Sequence, residues 1–190
     1  VVPHAGLVYS GRCAAEIFGR IAIPRSVVIL APNHYGILRE PARASLWARG
    51  SFATPVGEVP IDEHLAARLL EACPLVADDP MAHKREHAIE VELPFLRLLA
   101  PECVIVPILL ASDDWDFCLE LASVLADVLA KGLDDVLVLA SSDMTHYESA
   151  GSAEHKDTIA LAAVERLDGR ELLAACGREH ISMCGRAAVA

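Results

Sequence analysis

Four stretches of nearly unbroken aliphatic character alternate along this chain with segments of mixed, helix-like patterning. The runs at 1–2, 26–31 (SVVILA), 103–110 and 135–140 (DVLVLA) predict strands buried on both faces, since a strand with one wet face alternates apolar with polar residues. Between them the pattern predicts helices. One spans 10–20, capped by Ser10 and ended by Pro24; a second spans 62–72, capped by Asp62 with Pro74 beyond it. A third amphipathic segment covers 86–100, where Pro94 requires a kink or a late start. A long helix capped by Asp113 or Asp114 runs to Ala130 and is closed by Gly132, and two more occupy 152–167 and 170–176. Residues 43–60 read as a less regular insertion. Strands alternating with helices predict one domain over 1–190, a three-layer α/β/α sandwich on a parallel or mixed sheet.

Composition narrows the partners. At 54% hydrophobic and 5% aromatic, the chain has enough aliphatic mass for a core that needs no covalent staples. Its six cysteines lie scattered without a CxxC pair, which argues for reduced thiols in the cytoplasm and against a disulfide scaffold. A formal charge of −11 excludes nucleic acid and anionic membrane as main partners. No apolar run approaches the roughly 20 residues that span a bilayer. With no initiator Met, a strand under way at Val1 and a helix starting near Gly185, the chain is expected to be a fragment lacking N- and C-terminal segments.

The unusual residues fall at strand ends, where open α/β sheets bind their ligands. His4 follows the first strand, His34 the second, and Asp143 and His146 lie just past the fourth within 141–147 (SSDMTHY). If the strands are parallel, these ends share one edge of the sheet. A single strand-end histidine is as readily a hydrogen-bonded structural residue, but three at equivalent positions with a carboxylate point to a metal or catalytic site. Imidazoles with one anionic ligand suit a divalent transition metal. Cys184, beside Gly185 and a helix start, is a candidate third ligand with a depressed thiol pKa. The other five cysteines are placed in the core, and His64, His83, His155 and His180 in surface-like surroundings. Asp143 and His146 can serve as orienting carboxylate and base, unless Asp143 merely caps the following turn. Glu86 and Glu90 share a helix face with His87 rotated by about 100°; the acids read as complements of the helix dipole, with an inward-pointing His87 the functional alternative.

Six stretches, PHAGLVYSG (3–11), APNHYG (31–36), TPVGEVPID (54–62), EHAIEVELPFL (86–96), SSDMTHY (141–147) and CGR (184–186), occur in an order that resembles the Memo family. Microbial members of that family are called AmmeMemoRadiSam system protein B. The chain differs from the usual pattern at Leu7, where an aromatic is common, and at Ala31, where glycine is. The resemblance implies a fold similar to the class III extradiol dioxygenases, with non-haem iron. It implies His4, His34 and Cys184 as metal ligands, with Asp143 and His146 lining the same pocket; a thiolate ligand also suits copper or zinc.

The resulting expectation is a metal-dependent redox enzyme acting on a small organic substrate, with His146 as acid/base and Asp143 orienting it. Two alternatives stand beside it: a non-catalytic module binding a peptide or metal in the same pocket, and a metal-dependent hydrolase.

Overall fold

The computed structural model describes residues 1–36, 38, 41–131 and 135–190. The helix stop expected at Gly132 lies outside them. The elements in chain order are α1 (Leu7–Phe18), β1 (Ser26–Pro32), β2 (Ala44–Leu46), β3 (Ser51–Thr54), β4 (Gly57–Pro60), α2 (Glu63–Ala72), β5 (Val76–Asp78) and α3 (Pro80–His83). After them come α4 (Leu93–Leu99), β6 (Val104–Leu110), α5 (Trp115–Ala130), β7 (Val136–Ala140), α6 (Ala150–Glu165), α7 (Gly169–Arg178) and α8 (Arg186–Val189).

The aliphatic runs build the centre of a mixed five-stranded sheet ordered β5-β2-β6-β1-β7, in which β1 is parallel to both β6 and β7. All seven residues of β1 are buried, as its unbroken hydrophobicity requires. Val2 adds a parallel bridge to Ser141 beyond β7, its N–H donating to the Ala140 carbonyl at 2.9 Å. The carboxyl ends of three neighbouring parallel segments therefore open on one edge. Helices cover this sheet to give the α/β/α sandwich: α2 packs on α5, α1 on α4 through stacked Phe18 and Phe95, and α8 on β1. A smaller apolar cluster, Ala160, Ala163, Leu172, Cys176, Ile181 and Met183, joins α6 and α7 to the segment leading into α8. No described helix is long and apolar enough to cross a membrane.

Several local expectations are corrected. The insertion over 43–60 contributes β2, antiparallel to β6, and a separate β3–β4 hairpin. The three-residue β5 and the short α3 had no periodic signal to announce them. Residues 86–92 are irregular, with turns over 88–92, and α4 begins only at Leu93, with Pro94 in its first turn where no donor is missed. Helix α1 starts at Leu7 rather than at Ser10, whose hydroxyl instead donates back to the Ala5 carbonyl at 2.8 Å. The caps of α2 (Asp62) and α5 (Asp114) are as expected, each side chain accepting from an N–H in the first turn.

Candidate metal centre

His4 leaves the sheet just after the Val2 bridge and is 1% exposed. Its backbone N–H and that of Ala5 both donate to Asp143 Oδ1, at 2.9 and 3.0 Å, so the loop after β7 clamps the loop carrying His4. The His4 ring meets Ser141 Oγ through Nδ1 at 2.7 Å and Cys184 Sγ through Nε2 at 3.3 Å. Ser141 thereby occupies one ring nitrogen and leaves the other facing the thiol. Its hydroxyl also lies 2.8 Å from the Ala88 carbonyl and 2.5 Å from Glu92 Oε1.

His34 follows β1 in a turn open to solvent. Glu86 holds it twice: Oε2 accepts from the His34 N–H at 2.7 Å, and Oε1 lies 2.8 Å from Nδ1. The same Oε1 accepts from the N–H groups of His87 and Ala88, at 2.9 and 3.0 Å. Burial raises the Glu86 pKa, but the His34 ring and the N–H groups of Ala88 and His34 outweigh it and bring the carboxyl down to about 2. His34 is raised to about 10, first by its hydrogen bond to Cys184 and then by Glu86, against an opposing contribution from burial. His87 stacks on His34 at 5.0 Å between ring centroids and meets the His4 ring edge-on at 5.6 Å.

Cys184 reaches this pair because Ile181 and Met183 are anchored in the cluster beneath α6 and α7. Gly185 then lies so close to 141–142 that a Cβ would collide with the Ser141 carbonyl. The Asp143 N–H donates to Sγ at 3.2 Å. Burial raises the thiol pKa, but hydrogen bonds from His34 and His4 prevail and lower it to about 6.

One nitrogen of His4, one of His34 and Sγ of Cys184 all lie within 4.8 Å of one another. Two imidazoles and a low-pKa thiol, with both outer nitrogens already held, are a donor set that fits a transition metal. A cleft of about 390 Å³ opens beside His34 and Cys184, bordered by Asn33, Ser112, Met183 and Arg186, the last paired with Asp113 at 2.8 Å.

Asp143 and His146 sit beside the three donors without bonding each other. Asp143 is committed to the backbone of His4 and Ala5, its Oδ2 3.9 Å from His4 Nε2. His146 takes the Ser182 carbonyl as partner for Nδ1 at 2.8 Å, while its N–H donates to Ser182 Oγ at 2.7 Å. A donor atom of His146 lies within 4.8 Å of both the Asp143 carboxylate and Cys184 Sγ.

Glu86, Ser141 and Glu92 are the contributors that sequence reasoning missed. Glu86 is buried where Glu90 is exposed, because 86–92 do not form the helix that would have given both one face. Two further placements are corrected. His83 is buried, with Nε2 3.2 Å from Ser45 Oγ and its pKa lowered by burial to about 4. Cys13, expected in the core, is exposed on α1; all six cysteines are free.

The Memo-like protein family matches this chain over residues 1–190. A MEMO1 family protein of Aquifex aeolicus is 40% identical over 186 residues, covering 97% of this chain and 67% of its own. Those of Thermotoga maritima and Caldivirga maquilingensis are 39% and 36% identical, each covering all of this chain, with 68% and 67% of their own lengths matched. The chain spans about two thirds of the length of these relatives. Matched from end to end by the family and by relatives at this level of identity, the chain belongs to the Memo family.

Proposed function

We propose that this protein binds one divalent transition metal through His4, His34 and Cys184 and performs redox chemistry on a small organic substrate, in the manner of a non-haem-iron dioxygenase. The observation that carries the reading is the convergence of three donor atoms within 4.8 Å beside an open cleft. Iron is the metal we favour, with copper and zinc the alternatives a thiolate also accepts. When bound, such a metal supplies Lewis acidity and, for iron or copper, a redox couple.

The chain's own residues then divide the work. Ser141 and Glu86 hold the outer nitrogens of His4 and His34, so both rings present the remaining nitrogen inward. His146 donates from Nδ1 to the Ser182 carbonyl, which leaves its Nε2 free to take a proton from the substrate or return one. Asp143 contributes by fixing the His4 loop. His87, stacked over His34, narrows the approach of water. Substrate enters through the cleft beside Cys184. Six free thiols accord with work in a reducing cytoplasm.

The test is anaerobic titration of the metal-free chain with Fe(II), followed by oxygen uptake with a panel of catechols. About one metal per chain is expected, lost in His4→Ala combined with His34→Ala. His146→Ala should keep the metal and lose turnover. Stoichiometric metal in the double variant would sink the site, and metal binding without turnover of any substrate would favour the non-catalytic module.

A further inference from the structure

Glu92 is 1% exposed and takes no part in the chemistry assigned above. It reaches that chemistry through one atom, the Ser141 hydroxyl oxygen, which lies within hydrogen-bonding distance of Glu92 Oε1 (2.5 Å), His4 Nδ1 (2.7 Å) and the Ala88 carbonyl (2.8 Å). A hydroxyl carries one hydrogen and two lone pairs, and a carbonyl only accepts. With the His4 proton on Nδ1, the tautomer that turns Nε2 toward a metal, that ring donates to Ser141. Serine's single hydrogen can then serve Ala88 or Glu92, and the remaining contact needs a hydrogen of its own. Of the two, only Glu92 can bring one. The opposite His4 tautomer makes the shortage worse, because Nδ1 then also competes for the serine hydrogen.

A second observation agrees. Glu92 Oε2 is buried with no hydrogen-bond partner among the described residues. An ionised carboxylate there would leave charge on an unpaired oxygen, whereas a neutral acid leaves only a carbonyl oxygen. Burial, reinforced by the nearby Asp143 charge, raises the group's pKa to about 8 in spite of the Ser141 contact.

We infer that Glu92 is a neutral carboxylic acid that donates to Ser141, so that Ser141 gives its own hydrogen to Ala88 and accepts from His4 Nδ1. Glu92 is thus a positioning residue. It holds the serine oxygen as the acceptor of the His4 Nδ1 hydrogen, which fixes the ring with Nε2 turned inward. Its role toward a metal rests on the reading of the site given above; its protonation does not.

The experiment uses the full chain and two readouts. Infrared difference spectra of the metal-free protein minus Glu92→Gln, at about pH 6 where ordinary carboxyls are ionised, should contain the carbonyl stretch of a protonated carboxyl. Co(II) titration, followed by thiolate-to-metal absorption, should give Glu92→Gln the parent's affinity, since its amide can donate to Ser141. Glu92→Leu and Ser141→Ala should bind about ten- to a hundredfold more weakly. Absence of the infrared band, or unchanged affinity in both Glu92→Leu and Ser141→Ala, overturns the inference. So does a Glu92→Gln that binds as poorly as Ser141→Ala, a comparison that stands even if Glu92→Leu fails to fold. A parent that binds no Co(II) would overturn the metal reading and with it the positioning role, while the band still decides the proton on Glu92.

Discussion

Cys184 and His34 shift in opposite senses, the thiol down to about 6 and the imidazole up to about 10, because each stabilises the charged form of the other. These opposed shifts favour a thiolate–imidazolium pair in the metal-free protein. Alkylation of Cys184 should therefore rise with a midpoint near pH 6 and be suppressed by bound metal. Exposed Cys13 provides the comparison, and equal labelling of the two at pH 6–7 would count against the pair. Glu86 supplies a second test. Its folded pKa, about 2, lies below the ordinary 4.5, so its stabilisation is present above about pH 4.5 and disappears as the pH falls toward 2. A shift of that size is worth on the order of 3 kcal/mol at neutral pH. Urea midpoints of Glu86→Gln should fall below the parent's at pH 6 and converge with them in acid; a gap that stays constant would mean the carboxylate is not what stabilises the fold. His4 and His34 were legible as candidates because histidines in strand-end loops stand out from aliphatic neighbours. Glu86 was not, because a carboxylate beside a predicted helix looks the same whether it faces solvent or an imidazole.

The α8 N-terminus delivers the thiol, and Gly185 lets it approach. A Cβ at Gly185 would collide with the Ser141 carbonyl and lie 2.6 Å from Ser142 Cβ, on backbone that cannot retreat without leaving the sheet edge. Gly185→Ala is expected to cost about 1–3 kcal/mol, as overpacking does, and to weaken metal binding by displacing Cys184. Denaturation and metal titration of this variant check both, and an unperturbed Kd would show that Cys184 is placed independently of that contact. The long elements were readable from local pattern: β1 and β6 from unbroken apolar runs, α5 from its Asp114 cap and buried face. The three-residue β2 and β5 were not, since their pairing is set by where β6 runs rather than by anything in their own residues.

Across the whole molecule, the proposed ligands tie together residues 180 apart in sequence, His4 and Cys184. A metal that binds the folded chain alone adds stability by mass action, about 2.7 kcal/mol at a free concentration a hundred times Kd. For a chain of this size that is a rise in Tm of about 5–11 °C. Chelation should reverse the shift, and the His4→Ala, His34→Ala double variant should not show it. Scanning calorimetry at fixed free metal measures both, and an equal rise in the double variant would place the bound metal elsewhere.

Hydrophobic patterning by itself determined that this chain makes an α/β sandwich with histidines at the ends of its parallel strands, because burial of long aliphatic runs and the location of polar loops are local properties of the sequence. Tertiary structure alone decided which groups meet there. Placing Glu86 on His34 and Glu92 on Ser141 required the segment 86–92 to fold against the ends of β1 and β7, some fifty residues away in each case, and placing Ser141 on His4 joined residues 137 apart. The same holds for His83, buried by the β2 strand it packs against, and for His146, held by the Ser182 carbonyl rather than by the carboxylate three residues away. Periodicity records how each segment meets solvent; it does not record which segment lies opposite, and the hydrogen-bond partners of this site are set by that.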